Sequence, residues 1–105
     1  MTMTKRNKLP YIPPGEILIE EFIRPLGLTQ AQVARDAGIP ASRLTEIIKG
    51  RRSITAETAL RLSRYFGTTA AFWLGLQAEH DLEVAEDVHG KEIQSDVRVL
   101  ASERV

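Results

Sequence analysis

A short stretch of the sequence, residues 41–49, carries polar side chains that can read the edges of base pairs. Arg43 can donate two parallel hydrogen bonds to guanine, and Glu46 can accept one from cytosine. The hydroxyl groups of Ser42 and Thr45 can bond to several bases or contact a thymine methyl group. The apolar residues of the stretch recur with helical spacing on the other side. The pattern predicts a recognition helix, and its nine residues would span about 13 Å, close to the width of a DNA major groove.

A second set of residues has the groups needed to hold a phosphate backbone. Lys49, Arg51 and Arg52 cluster where the recognition helix should end, and cationic donors on phosphates position a duplex without specifying its sequence. Gln30 and Gln32 lie at the start of the preceding predicted helix, whose first N–H groups can hold a phosphate oxygen. For each single residue the competing interpretation is an ordinary solvated side chain. The complete predicted DNA-binding set is Thr29, Gln30, Gln32, Ala41, Ser42, Arg43, Thr45, Glu46, Lys49, Arg51 and Arg52.

Catalysis and metal binding find no support in the sequence. There is no cysteine, so a thiolate nucleophile and a cysteine zinc site are excluded. His80 and His89 are not spaced as neighbours on a helix and lack the flanking residues of a zinc motif, so we expect both on the surface. No histidine is placed to activate a serine. The sequence predicts no catalytic residue, no metal and no cofactor, and therefore a protein that is not an enzyme.

The elements that position the polar residues follow from the spacing of small and apolar side chains around them. Thr29 and Gln32 form a capping-box pattern that begins one helix. Ala34 is small enough for the next helix to cross over it, Gly38 can adopt the positive φ of a tight turn, and Leu44 ties the second helix to the first. The other inward positions are apolar, namely Val33, Ala37, Ile39 and Ile47. This spacing predicts a helix-turn-helix over residues 29–49, the alternative being an accidental helical hairpin.

Pro40 departs from the common pattern at the entrance of the recognition helix. A Ser or Thr usually stands at this position and caps the helix with its side-chain oxygen. Proline is tolerated at a helix start but contributes no capping oxygen. We therefore expect a slightly weaker helix entrance, and a gain of stability from Pro40→Ser.

Five helices are predicted, which places the protein in the all-α class, with an extended fifth helix and a short C-terminal tail. Pro25 should end the first helix, because the residue before a proline is pushed out of the α region. Gly90 should end the fifth helix, and residues 97–100 are the only segment that suggests a strand. The predicted helices are 14–23, 29–37, 41–49, 55–66 and 69–88.

Length and charge suggest one domain with two kinds of partner. The 105 residues, 43% of them hydrophobic, suffice for one core. We expect a flexible arm over residues 1–13, a DNA-binding domain with a dimerising fifth helix over 14–88, and a tail over 89–105. Residues 1–55 hold nine Lys and Arg against five acids, whereas the remainder holds five against nine. A basic half joined to an acidic half suggests a polyanionic partner and a second, basic one, the alternative being chance scatter.

The location and the oligomeric state are also suggested by the sequence. No apolar run is long enough to span a bilayer, and the polar residues 1–8 lack a signal core, so we expect a cytoplasmic protein with no membrane contact. Phe72 and Trp73 are neighbours and cannot both point into one small core from a helix. Either one of them lies on the interface of a homodimer, or Trp73 covers the edge of its own core.

Several runs outside the helix-turn-helix occur in an order that resembles the HigA-type antitoxins, which are proteins with a helix-turn-helix of the Cro and phage-repressor type. The resemblance covers about residues 12 to 84 and thins out afterwards. The runs are Pro13-Pro14-Gly15-Glu16-Ile17-Leu18 with Glu20-Glu21-Phe22, Pro25-Leu26-Gly27-Leu28-Thr29-Gln30, Gly50-Arg51-Arg52-Ser53-Ile54-Thr55-Ala56, Ala59-Leu60-Arg61-Leu62, and Phe66-Gly67-Thr68 with Phe72-Trp73-Leu74 and Leu76-Gln77.

The resemblance implies an antitoxin that binds its own operator as a dimer, represses its operon and neutralises a partner toxin, a RelE-like enzyme that cleaves mRNA. Two segments are candidates for the toxin contact. One is the arm 1–13, and the other is the acidic stretch Glu79, Asp81, Glu83, Glu86 and Asp87, which could also be an ordinary solvated helix face. The alternatives are a stand-alone regulator of the phage-repressor kind without a toxin, and an interaction module that no longer binds DNA.

Overall fold

Threonine hydroxyl groups begin three of the helices. The Oγ1 atom of Thr29 accepts a hydrogen bond from the backbone N–H of Gln32 at 3.0 Å. Thr55 and Thr69 accept equivalent bonds at 3.3 Å and 3.0 Å. Each bond satisfies one of the backbone donors that a helix start leaves without an intrahelical partner. The predicted starts of these three helices, at Thr29, Thr55 and Thr69, are therefore confirmed.

The computed structural model describes residues 12–100, and this part of the chain forms five helices and no strand. The all-α class and the five predicted helices are confirmed, whereas residues 97–100 form no strand. The arm predicted over residues 1–13 lies outside the described residues except for Ile12 and Pro13. The helices are α1, made of a regular turn Pro14–Ile17 and a π-helical segment Leu18–Ile23, α2 Gln30–Ala37, α3 Ala41–Ile48, α4 Ala56–Phe66 and α5 Ala70–Asp96.

One hydrophobic core joins all five helices. α2 packs on α3 and α4, α4 packs on α5, and the first turn of α1 contacts both α3 and α5. The buried side chains of this core come from every helix and from two connecting loops. They are Leu18, Ile23, Val33, Ala34, Ile39, Leu44, Ile47, Ile54, Ala59, Leu62 and Trp73.

The aromatic residues explain how α5 is attached to this core. Trp73 is completely buried, and its Nε1 donates a hydrogen bond to the Oγ1 atom of Thr68 at 2.7 Å. Its ring lies 5.0 Å from that of Phe22 and 6.2 Å from that of Phe66. Phe72 remains 39% exposed. The two neighbours thus point differently, as predicted, and Trp73 belongs to the core of its own chain.

α1 ends at Ile23, the predicted residue, but the proline that follows is not the physical cause. Arg24 keeps α-helical dihedral angles, with φ −65° and ψ −48°, although Pro25 follows it. Its N–H donates to the carbonyl oxygen of Ile19, a bond five residues back that widens the last turn. The chain leaves the helical path at Gly27, after which the N–H of Leu28 bonds to the carbonyl oxygen of Ile23. The proline therefore does not push the preceding residue out of the α region here.

α5 is longer than predicted. It continues through Gly90 to Asp96, for a total of 27 residues. The prediction that Gly90 stops the helix was wrong, because a glycine in a helix interior costs only about 1 kcal/mol and does not force an end. Among the helices of residues 12–100, none combines the length and the apolar composition that a membrane span requires.

Candidate nucleic-acid interface

The turn between α2 and α3 sets the angle at which the recognition helix is presented. Gly38 has φ +69° and ψ +33°, a left-handed conformation that strains residues with a Cβ atom. The N–H of Ile39 then bonds to the carbonyl oxygen of Ala34 at 2.9 Å, and the Ile39 side chain is buried. This is the helix end with a left-handed residue that the sequence predicted. Pro40 caps α3 without a side-chain hydrogen bond, also as predicted.

α3 has one buried face and one accessible face. Leu44 and Ile47 are each 1% exposed and anchor the helix in the core, as expected. The first residues, Ala41 and Ser42, are exposed, whereas Arg43, Thr45 and Glu46 are half-buried and reach the surface. All the predicted base readers are therefore placed on one eight-residue helix outside the core.

The basic loop after α3 begins at a fixed position. Gly50 donates to the carbonyl oxygen of Ile47 at 3.0 Å, and Arg51 donates to that of Glu46 at 2.8 Å, a pair of bonds that closes the helix end. Lys49, Arg51 and Arg52 are all exposed. The structure thus places three cationic side chains beside the C-terminal end of the accessible face of α3, the reading face.

One ion pair joins a predicted base-reading residue to a predicted phosphate-binding residue. A guanidinium nitrogen of Arg51 lies 3.4 Å from a carboxylate oxygen of Glu46. These side chains are 63% and 37% exposed, so water screens the pair and its contribution to stability is small, typically below about 1 kcal/mol. In the protein without DNA, the predicted cytosine acceptor therefore has a charged neighbour that could move away at low cost.

The start of α2 offers fewer free donors than the sequence suggested. The N–H of Gln32 is already bonded to the Thr29 hydroxyl group. The side chains of Thr29 and Gln30 are exposed and that of Gln32 is half-buried. A phosphate oxygen at this helix start would be held by the other N–H groups of the first turn and by the glutamine amides.

Sequence reasoning missed a close contact beneath the recognition helix. Gly15 in α1 is buried, and a Cβ atom at this position would lie 2.0 Å from the carbonyl oxygen of Ile47 and 2.6 Å from the Cα atom of Ile48. Only a residue without a side chain lets α1 approach the backbone of α3 so closely. The run Pro14-Gly15 could have been taken as a signal, because a glycine inside a first helical turn needs a packing reason.

A second missed residue is Gln77, which is only 9% exposed although it is polar. It lies one helical turn after the buried Trp73, and a polar residue at a core-facing position was the available signal. His80, which was expected on the surface, is half-buried. Its side chain is only 21% exposed and lies 3.6 Å from a carboxylate oxygen of Asp81, whereas His89 is exposed and lies 3.3 Å from Glu92.

No group of three or more metal-binding side chains converges within residues 12–100. The accessible face of α3, its buried tie to α2 and the adjacent cations instead form the surface with which helix-turn-helix proteins enter a major groove. The fold and this surface define a DNA-binding protein of the helix-turn-helix class.

Comparison with known proteins narrows the class. A model of the helix-turn-helix family matches residues 19–73. Virulence-associated protein I of Dichelobacter nodosus is 48% identical over 81 residues, which are 77% of this chain and 75% of that protein. The structure of Pseudomonas aeruginosa antitoxin HigA with the higBA promoter is similar with a TM-score of 0.83 and 38% identity, covering 88% of this chain and 100% of that one.

A second solved structure agrees. The addiction module antidote protein of a HigA family from Coxiella burnetii has a TM-score of 0.82 and 44% identity, over 88% of this chain and 100% of that chain. The chain belongs to the helix-turn-helix family and, within it, to the HigA-type antitoxins.

Proposed function

We propose that the protein binds the operator of its own operon through α3, represses that operon, and neutralises a RelE-like, mRNA-cleaving toxin without any catalytic step of its own. One observation carries the DNA-binding part. The polar face of α3 is accessible while Leu44 and Ile47 hold the opposite face in the core. The Pseudomonas aeruginosa relative, whose structure contains the higBA promoter, supports operator DNA as the ligand.

The reading roles are divided by chemistry. Arg43 donates a bidentate pair to guanine, and Ser42 and Thr45 contact neighbouring bases. Glu46 accepts from a cytosine amino group once Arg51 turns to a phosphate. The exposure of both partners supports this exchange, because an exposed ion pair costs little to open.

The remaining residues of the predicted DNA-binding set contact the phosphate backbone of the DNA. Lys49, Arg51 and Arg52 bind phosphates at one end of the reading face. At the other end, a phosphate lies near the start of α2, where the partial positive charge of the helix favours an anion. Thr29, Gln30, Gln32 and Ala41 line this second contact.

We propose a homodimer formed through α5. From Leu82 onward α5 exposes large apolar side chains to water, since Leu82, Val88 and Ile93 are 69%, 64% and 51% exposed. A two-fold dimer would place two recognition helices about 34 Å apart on an inverted repeat. Residues 14–88 would then supply the DNA-binding unit and most of the dimer contact, to which Ile93 would add from the tail predicted over residues 89–105.

The toxin contact has two candidate segments. The acidic stretch on α5 is accessible, since Glu79, Glu86 and Asp87 are exposed and Glu83 is half-buried. Its charge suits a basic enzyme that acts on RNA. The arm 1–13 is the other candidate, and a deletion of the arm compared with Glu86→Lys and Asp87→Lys separates the two.

Titration of a fluorescent duplex from upstream of the gene, at several salt concentrations, tests DNA binding. Several phosphate contacts predict that log K falls linearly and steeply with log salt, and a flat line would remove the proposal. Arg43→Ala should relax the sequence preference, whereas Arg52→Ala should weaken all sequences alike. Identical behaviour of the two variants would contradict the division of roles.

The toxin part is tested by co-expressing the chain with the reading frame beside its gene. We expect the neighbouring product to arrest growth alone, to co-purify with this chain, and to be harmless when both are made. A chain that binds its operator but has no such neighbour would be a stand-alone regulator.

A further inference from the structure

Gln77 makes two hydrogen bonds that connect α5 with the loop between α3 and α4. Its Oε1 atom accepts from the backbone N–H of Ile54 at 2.8 Å, and its Nε2 atom donates to a carboxylate oxygen of Asp81 at 2.9 Å. The bond to Ile54 is buried. A buried N–H group that loses its acceptor is costly, so this contact fixes the end of the loop at Ile54.

The loop between α3 and α4 is therefore held at both ends. The N–H of Arg51 is bonded to the carbonyl oxygen of Glu46, and Ile54 is held by Gln77 and is itself only 2% exposed. Arg51, Arg52 and Ser53, between these two points, are exposed. The direction in which the two arginines leave the surface thus depends on the bond from α5.

We propose that Gln77 is a positioning residue for DNA binding, which holds Arg51 and Arg52 against the phosphate backbone through Ile54. The proposal rests on the proposed function, in which these arginines bind phosphates. A glutamine is suited to the position because its carbonyl oxygen accepts from Ile54 while its NH2 group still needs an acceptor. Asp81 is that acceptor, and it orients the amide so that the oxygen faces Ile54.

The polarity of this pair gives a direct test. Gln77→Glu keeps an acceptor for Ile54 but brings two carboxylates together at the position of a 2.9 Å hydrogen bond. Adding Asp81→Asn restores the bond with reversed polarity, because the Asn amide can donate to the Glu carboxylate. The double variant also has the net charge of the original protein.

We expect Q77E to weaken operator binding about tenfold, equivalent to about 1.4 kcal/mol. The salt dependence should also become shallower, by about one phosphate contact per recognition helix, which is a slope change of about 0.9 per helix and about 1.8 for the dimer. Q77E with D81N should regain both the affinity and the slope. Gln94→Glu, the same substitution at an exposed position near the end of α5, is the matched control and should leave the slope unchanged.

A double-mutant cycle distinguishes positioning from a general loss of stability. In a protein that already carries R51A and R52A, Q77E should have almost no further effect on affinity, because the residues it positions are gone. Additive losses would overturn the inference, as would an unchanged slope in Q77E. Circular dichroism establishes that each variant is folded. If Q77E alone does not fold, a folded Q77E/D81N pair with the original slope supports the inference, and one with a lower slope overturns it.

The same measurements separate this inference from the proposed function. If R51A/R52A weakens operator binding while Q77E does not, only the positioning role of Gln77 is wrong. If R51A/R52A has no effect, the phosphate contacts themselves are wrong and the inference fails with them.

Discussion

Residues 29–55 form the reading head, and residues 83–96, at the end of α5, form the distal helix. The two regions differ in how far they are packed into the core. The two helices of the reading head have only eight residues each, and four of their residues are buried in the core: Val33, Ala34, Leu44 and Ile47. No residue of the distal helix is buried. Isolated helices shorter than about 12 to 15 residues are marginal in water, so α2 and α3 depend on tertiary packing.

The difference in packing suits DNA at the reading head and a second protein surface at the distal helix. The backbone of the reading head is packed against the core, so the proposed binding of DNA would require little ordering of α2 and α3. The distal helix leaves apolar side chains in water, and a second protein surface would add the packing that the monomer lacks there. Four substitutions, in decreasing order of expected effect, test this difference.

The largest effect is expected from truncating the core of the reading head. Leu44→Ala should lower the free energy of unfolding by about 3 kcal/mol, because Leu44 is 1% exposed and the change leaves a cavity. Val88→Ala, at a position 64% exposed in the distal helix, should change it by less than about 0.5 kcal/mol. Urea unfolding at low protein concentration measures both values. Equal losses would contradict the distinction between the two regions.

A smaller but still large loss is expected from filling the contact between α1 and α3. Gly15→Ala should destabilise the protein by about 2 kcal/mol, because the new Cβ meets backbone atoms that cannot rotate away. Gly75→Ala is the matched control, since nothing lies within 4 Å of a Cβ atom there. That change should stabilise the helix by about 0.5 to 1 kcal/mol. Thermal unfolding should show opposite signs, and a shared sign would refute the packing role of Gly15.

Gly90→Ala tests whether the distal helix is continuous in solution. A Cβ atom at Gly90 would meet only the flexible side chain of Glu86, at 3.5 Å. The helix should gain up to about 1 kcal/mol locally. Amide hydrogen exchange should slow at residues 86–94 while exchange in the reading head stays the same. No change at these amides would mean that the helix ends before Gly90.

The smallest effect is expected at the entrance of the recognition helix. Pro40 caps α3 without a side-chain bond, so Pro40→Ser should add a capping oxygen and about 0.5 kcal/mol of stability. The gain is limited because removing a proline also raises the conformational entropy of the unfolded chain. The midpoint of thermal unfolding measures it. A loss of stability, or no gain, would show that the rigid proline is the better choice.

The reading head was predictable because its rules are local. Thr29 caps a helix through an atom three residues away, and Gly38 meets a dihedral requirement of its own position. Leu44 is the one expected tie between two helices, and it follows from a short and fixed turn. Each of these residues could be assigned without knowing where the rest of the chain lies.

The errors arose where distant segments decide the outcome. The contact of Gly15 with Ile47 depends on how two helices cross, and the bond of Gln77 to Ile54 joins residues 23 positions apart. One error was local: Gly90 was expected to stop α5, although a glycine in a helix interior costs only about 1 kcal/mol.

The contact at Gly15 also bears on how operator preference can change during evolution. Backbone atoms of Ile47 and Ile48 meet α1, whereas the exposed Ser42 and the half-buried Arg43 take no part in that contact. Substitutions at the proposed base-reading positions would therefore leave the support of α3 intact. Under the proposed function, a few exchanges on the accessible face of α3 would alter operator preference at little cost in stability.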